Sequence, residues 1–114
     1  ICLDFRFTGV IGQFEKNVEW IFVIANWPDC REMQWTSLLS ARAIENQCFI
    51  VGVNRTGGDG MGLKYNGASM VIHPSGEVLL QTSKTSEYDT CDIDIAEVSK
   101  VRKKFPFLDD MRFV

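Results

Sequence analysis

Two short apolar segments, separated by one segment of helical length, constrain this fold more than any other feature of the sequence. Residues 18–25 (VEWIFVIA) and 48–53 (CFIVGV) are rich in β-branched and aromatic residues. Such segments are typical of strands that are buried on both faces of a sheet. Residues 30–47 place apolar side chains at helical spacing between them. One helix cannot cover both faces of a sheet, so we expect part of the covering structure to lie upstream or in a partner chain.

The remaining elements follow from local patterns. Asp29 and Glu32 have the spacing of a capping box at the start of the helix. Residues 57–62 form a glycine-rich loop without a dinucleotide-binding fingerprint. Residues 69–73 and 77–81 predict a hairpin, and the alternation over residues 88–95 predicts a further strand before a helix at 96–104. The apolar stripe of the first helix is predicted to consist of Trp35, Leu38, Leu39, Ala41 and Ile44.

Composition and charge narrow the possible functions. Twelve basic and fifteen acidic residues give a net charge of -3 at pH 7, so the chain has little attraction for nucleic acid. The apolar run over residues 20–25 is far shorter than the ~20 residues that a membrane-spanning helix needs. No segment has the layout of a signal peptide. We therefore expect one domain in the cytoplasm, with neither nucleic acid nor membrane as a partner.

Cysteine is the residue type with the clearest chemical potential. The four cysteines, Cys2, Cys30, Cys48 and Cys91, include no C-x-x-C pair, which argues against a zinc ribbon and favours free thiols. Cys2 lies in an apolar segment that enters a polar Asp-x-Arg sequence, as expected for a nucleophile at the end of a strand. On composition alone, a cysteine flanked by apolar residues is more often an inert residue of the core.

No histidine or metal cluster supports a second type of catalytic site. His73, the only histidine, precedes a proline and is expected to be a surface turn residue. Asp89, Asp92 and Asp94 are expected to face solvent rather than to bind a metal. Trp27 follows the first strand and precedes a proline, so it is predicted either to line a pocket or to fill the core.

The sequence as a whole resembles the C-terminal half of the carbon–nitrogen hydrolases, the nitrilase superfamily, and within it the omega-amidases that act on 2-oxo acid amides. The resemblance extends from residue 1 to about residue 112. It is carried by Ile1-Cys2-Leu3-Asp4-Phe5-Arg6-Phe7, Ala25-Asn26-Trp27-Pro28, Ala41-Arg42-Ala43-Ile44-Glu45-Asn46-Gln47, Val51-Gly52-Val53-Asn54-Arg55, Asp59-Gly60, Tyr65-Asn66-Gly67, Gly76-Glu77-Val78-Leu79 and Phe105-Pro106-Phe107-Leu108.

This resemblance implies a mechanism and a site. Cys2 would be the nucleophile of a Glu-Lys-Cys triad that hydrolyses an amide through a thioester, with no metal or organic cofactor. The backbone N–H of Leu3 would help to stabilise the oxyanion. Two further pairs complete the implied set: Asn26 and Trp27 at the pocket wall, and Asp4 and Arg6 as positioning residues.

The resemblance also implies an architecture. Residues 1–114 would be the C-terminal part of a single domain, that is, an α+β half of an αββα sandwich that forms homodimers and binds a small-molecule amide. The implied glutamate and lysine lie upstream of the cysteine, so these residues alone are expected to be inactive and poorly soluble. Two other interpretations stay open: a hydrolase of nitriles or N-carbamoyl amines, or a truncated, non-enzymatic binding or assembly module.

Overall fold

The predicted sheet is present, with four strands of mixed direction. The computed structural model describes residue 6 and residues 18–82 and 88–110. The strands are β1 (Trp20–Ala25), β2 (Phe49–Asn54), β3 (Thr56–Gly58), β4 (Lys64–Asn66), β5 (Met70–Ile72) and β6 (Val78–Gln81). The main sheet has the order β1-β2-β5-β6, and β3 pairs with β4 separately. β1 and β2 are parallel, whereas the β2–β5 and β5–β6 pairs are antiparallel. The α+β class is confirmed.

The first helix begins later than its sequence suggests. α1 spans Glu32–Asn46 and follows a 3-10 turn over Asp29–Arg31. The predicted capping box is wrong, because Arg31 is the N-cap residue and no side chain caps the helix. The Arg31 N–H donates to the Pro28 carbonyl at 3.0 Å, so Asp29 lies inside the turn rather than at the helix boundary.

The buried face of α1 is rotated relative to the predicted stripe. Trp35 and Leu39 are buried as predicted, but Ala41 and Ile44 are exposed. The buried residues that follow Leu39 are Arg42 and Ala43 instead. Arg42 forms an ion pair with Glu45 at 3.5 Å. Close packing of α1 on β2 is possible because Gly52 has no side chain: a Cβ there would lie 2.7 Å from a Leu39 methyl group.

β1 has one buried and one exposed face, although both faces are apolar. The outward residues Trp20, Phe22 and Ile24 are 47%, 55% and 70% exposed, and Val53 beside Ile24 is 45% exposed. We call these four residues the outer face. The prediction that one helix leaves an apolar face uncovered is confirmed for the described residues. The inward residues Ile21, Val23 and Ala25 join the core.

The second half of the chain agrees only in part with the prediction. The β5–β6 hairpin is confirmed, and the helix α2 spans Ala96–Lys104 as predicted. The glycine-rich loop overlaps β3 and connects it to β4 in a two-stranded hairpin. The predicted strand over residues 88–95 is wrong. Alternation alone provides no partner strand, and Asp94 instead lies just before α2, where its side chain accepts the Ala96 N–H at 3.0 Å. Within the described ranges, no helix has the length and apolarity to cross a membrane.

Candidate active site

The carboxyl ends of β1 and β2 define the candidate site. The two strands are in parallel register up to the Ala25–Asn54 pair, so the segments that follow them leave the sheet side by side. Ligands of sheets with parallel strands collect at such an edge. Asn54 joins the two segments, because its side chain bonds both the N–H and the carbonyl of Trp27. Asn26, the neighbouring predicted site residue, is exposed at this edge.

Trp27 is a buried residue that packs into the core next to the carboxyl ends of β1 and β2. It is 4% exposed, and its ring centroid lies 5.7 Å from that of Trp35. Its indole N–H donates to the Arg31 carbonyl at 2.7 Å. The Trp27 ring belongs to the core, and the predicted place of Trp27 in a pocket wall stays a prediction.

Arg6 connects the cysteine motif to this edge. Its guanidinium carbon lies 4.7 Å from the centroid of the Trp27 ring, within the range of a cation–π interaction. The guanidinium also donates to the Gln34 side-chain oxygen at 2.9 Å. Cys2, Leu3 and Asp4 lie outside the described residues, so their predicted roles stay predictions. Arg6 and Trp27 are thus brought together, and Asn26 directly precedes Trp27.

The β3–β4 hairpin lies beside the same edge and is organised by one carboxylate. The two Asp59 oxygens accept the Met61 and Leu63 N–H groups at 2.9 Å and the Tyr65 hydroxyl at 3.0 Å. Partial desolvation raises the pKa of Asp59, but these three bonds and the Arg55 charge together lower the pKa by more. The bond to Asp59 correspondingly raises the pKa of Tyr65. Arg55 lies over the Tyr65 ring at 4.5 Å.

We expect the order of this hairpin to depend on pH through Asp59. Because the folded state lowers the pKa of Asp59, the carboxylate stabilises the hairpin above the ordinary value of 3.8, and this contribution is lost as the pH falls through the folded-state pKa. Amide-exchange protection of Leu63 should therefore decrease at acidic pH in the native protein. In Asp59→Asn the decrease should be absent, since an amide oxygen still accepts hydrogen bonds but does not titrate. An equal decrease in the variant would contradict this assignment.

Other reactive groups of the described chain are not arranged for catalysis. Burial raises the pKa of the Cys48 thiol to about 11, although the Arg102 charge opposes the shift. Cys30 is exposed and Cys91 is half-buried. His73 packs edge-on against Phe49 at 5.5 Å and lies 3.5 Å from a Glu97 oxygen, so it is more buried than a surface turn residue. Among the described residues no group of three or more His, Cys, Asp or Glu side chains could hold a metal ion.

A groove of about 660 Å³ lies elsewhere, between α1 and strands β5 and β6. It is open to solvent, and it is lined by Glu32, Met33, Thr36, Ser37, Ser40, Met70, Val78 and Gln81. Of the lining residues only Val78 belongs to a segment that carries the family resemblance, and the hydrogen bonds at the strand ends involve none of them. We therefore assign the candidate site to the edge around Trp27 and not to this groove.

Sequence reasoning missed Asn54 and Asp59 as organisers of the site. Both lie in segments that carry the family resemblance, and Asn54 directly follows an apolar strand. A polar amide at the end of a buried strand was the available signal. Its partner Trp27 is 27 residues away in sequence, and no local pattern reports a hydrogen bond of that separation.

The fold and this edge define an α+β enzyme-like domain with a polar site at the ends of parallel strands. The chain belongs to the carbon–nitrogen hydrolase family, whose profile matches residues 1–103. It is 38% identical over 112 residues to the omega-amidase YafV of Escherichia coli K12, covering 96% of this chain and 43% of that protein. It is 39% identical over 113 residues to the 2-oxoglutaramate amidase of Bacillus subtilis, covering 98% and 43%.

A solved structure agrees with this membership. XC1258 of Xanthomonas campestris, a CN-hydrolase superfamily protein with an arsenic adduct in its active site, superposes with a TM-score of 0.91 at 33% identity. The match covers 98% of this chain and 45% of that one. The chain thus spans less than half the length of these relatives. The family resemblance inferred from the sequence motifs is confirmed.

Proposed function

We propose that this chain is part of a cysteine amidase that hydrolyses the terminal amide of a 2-oxo acid amide such as 2-oxoglutaramate. The observation that carries the proposal is the match, over 96–98% of this chain, to an omega-amidase and a 2-oxoglutaramate amidase. The site geometry supports it, because Arg6, four residues after Cys2, lies on Trp27 at the carboxyl ends of β1 and β2. Four residues span at most ~14 Å, so the Cys2 backbone is within that reach of Arg6.

In the proposed reaction the Cys2 thiolate attacks the amide carbonyl and forms a carbon–sulfur bond. The tetrahedral intermediate then expels the nitrogen as ammonia, which takes a proton from a general acid. Water attacks the resulting thioester, releases the carboxylic acid and regenerates the thiol. The Leu3 N–H and a lysine would stabilise the oxyanion, and a glutamate would transfer the protons. We assign the glutamate and the lysine to residues outside this chain.

Arg6 is the residue from which we infer which substrates the enzyme prefers. Among the described residues, its guanidinium contacts the neutral Gln34 oxygen and the Trp27 ring, and neither neutralises its charge. A 2-oxo acid amide carries a carboxylate at the end opposite its amide, and arginine binds carboxylates in a bidentate geometry. We therefore assign Arg6 to holding the substrate carboxylate, and Asn26 to the pocket wall. Asp4 is assigned to positioning the cysteine segment.

The proposal includes the architecture of the complete protein. We propose that residues 1–114 form the C-terminal part of one αββα domain and that the remainder of that domain covers the outer face. The share of the relatives that this chain spans, 43–45%, supports this division. We further propose a homodimer in the cytoplasm; the free thiols of Cys30, Cys48 and Cys91 fit a reducing compartment.

A substrate panel tests the function. Ammonia release by the complete protein should be measured with 2-oxoglutaramate, with glutamine, with a nitrile and with an N-carbamoyl amine. We expect kcat/KM for 2-oxoglutaramate to exceed that for a nitrile and an N-carbamoyl amine without a carboxylate by roughly 10²-fold or more, because a site built for a polar group rejects analogues that lack it. Glutamine keeps the carboxylate and the amide, so it reports separately on the 2-oxo group. A preference for the nitrile or the N-carbamoyl amine would overturn the substrate assignment. No turnover of any compound would favour the assembly module.

A further inference from the structure

We propose that Asn54 is a positioning residue for this hydrolysis: it holds Trp27, the residue on whose ring the Arg6 guanidinium lies. The inference rests on the proposed function, because Arg6 has a catalytic consequence only in a site of that kind. It concerns a residue that does not touch the reacting atoms. Its effect would be transmitted through Trp27.

The Asn54 amide binds the Trp27 backbone at two points. Its side-chain oxygen accepts the Trp27 N–H at 2.7 Å, and its side-chain nitrogen donates to the Trp27 carbonyl at 2.8 Å. The same nitrogen donates to the Gly67 carbonyl at 2.9 Å. Both amide hydrogens and one oxygen lone pair are therefore used. The side chain continues the β1–β2 pairing beyond the point where the strands end.

The backbone of Asn54 is bonded separately, which leaves its side chain free for this role. Its N–H donates to the Ser69 hydroxyl oxygen at 2.9 Å, and the Ser69 hydroxyl donates to the Asn54 carbonyl at 3.3 Å. β5 pairs with β2 only up to the Gly52–Met70 pair, so Ser69 replaces the strand partner that β5 no longer provides. The backbone N–H and carbonyl of Asn54 are thus held by Ser69, independently of the bonds that its side chain forms with Trp27.

The position of Trp27 determines that of Arg6. With its backbone bound by Asn54 and its indole N–H bound by Arg31, the Trp27 ring has one orientation, packed on Trp35. The Arg6 guanidinium lies on this ring. Loss of the Asn54 bonds would let Trp27 move, and Arg6 with it. A displacement of about 1 Å at a site of this kind costs roughly 10²-fold in rate.

The test substitutes Asn54→Asp in the complete protein. The introduced carboxylate keeps the acceptor for the Trp27 N–H but places a negative oxygen against the Trp27 and Gly67 carbonyls. We expect kcat/KM for 2-oxoglutaramate to fall roughly 10²-fold. A higher KM should account for most of that fall, since Arg6 binds the substrate carboxylate. Lowering the pH protonates the introduced group and restores a donor, so the ratio of variant to native activity should rise.

Asn46→Asp is the matched control. The Asn46 side-chain nitrogen also donates to a backbone carbonyl at 2.9 Å, that of Arg42, but within α1. The same amide-to-carboxylate change there should leave kcat/KM within a factor of about two. Asn54→Ser removes all three bonds without adding a charge and serves if Asn54→Asp does not fold. If both Asn54 variants unfold, the residue is required for folding and the positioning role is wrong.

A readout independent of activity separates this proposal from the proposed function. In protein labelled with 5-fluorotryptophan, the Trp27 resonance is assigned with Trp27→Phe. We expect Asn54→Asp to shift or broaden the Trp27 resonance and to leave that of Trp20, at the other end of β1, unchanged. An unchanged Trp27 resonance, or a kcat/KM within a factor of about two of native, overturns the positioning role. An inactive native protein with an altered Trp27 resonance overturns the proposed function and the catalytic part of this inference, but not the structural link.

Discussion

Replacing Cys2 by alanine should abolish ammonia release from 2-oxoglutaramate by the complete protein, with a loss of roughly four to six orders of magnitude in kcat. The proposed reaction proceeds through a carbon–sulfur bond, and alanine has no atom that could form it. Binding should change far less than turnover, because Arg6 and the pocket wall are retained. The measurement is ammonia release under single-turnover and steady-state conditions, together with mass spectrometry of the native protein quenched during turnover to detect the thioester.

The other cysteines make this prediction specific. Cys30 is exposed, so Cys30→Ala is the control and should retain native activity. Cys48 cannot replace Cys2 as the nucleophile, because burial raises the pKa of its thiol to about 11 and keeps the thiol protonated at neutral pH. Substantial turnover by Cys2→Ala would show that another group is the nucleophile. An adduct on Cys30 or Cys91 in the quenched native protein would show the same.

The sequence predicted the core of the fold because that core depends on local patterns. Residues 18–25 and 48–53 carried a β signal strong enough to predict β1 and β2 to within two residues at each end. The strand predicted over residues 88–95 failed because its alternation was correct but no strand among the described residues pairs with it. Alternation reports which faces a segment has, whereas pairing depends on the rest of the molecule.

The candidate site was predictable where chemistry is tied to a single residue and not where it depends on tertiary bonds. The sequence pointed to Trp27 because this residue follows a strand and precedes a proline. It pointed to Arg6 because this residue belongs to the cysteine motif. The Asn54 bonds to Trp27 and the Asp59 bonds within its hairpin were not predicted. Each depends on backbone groups that are brought together only by the parallel pairing of β1 with β2 or by the β3–β4 turn.

Substituting a charge on the outer face should have opposite consequences in the isolated chain and in the complete protein. Ile24, at 70% exposure, is the most exposed residue of that face. In the 114-residue chain we expect Ile24→Glu to raise the soluble fraction, because it interrupts an exposed apolar patch and leaves the inward core residues untouched. In the complete protein the same carboxylate would be buried without a partner, which should lower the free energy of unfolding by about 3–5 kcal/mol.

The opposite effects of Ile24→Glu in the two contexts distinguish an αββα domain, which covers the outer face, from an assembly module, which leaves it open. Ile44→Glu is the matched control, since Ile44 is 55% exposed on α1, on the opposite side of the sheet from the outer face. The control should leave the soluble fraction of the isolated chain unchanged and change the free energy of unfolding of the complete protein by about 0.5 kcal/mol or less. Sedimentation of the isolated chain and urea unfolding of the complete protein measure the two effects. A small effect of Ile24→Glu on the unfolding of the complete protein would mean that the outer face stays open there. The αββα arrangement would then be wrong, and an apolar surface of this size, kept exposed, would favour the assembly module.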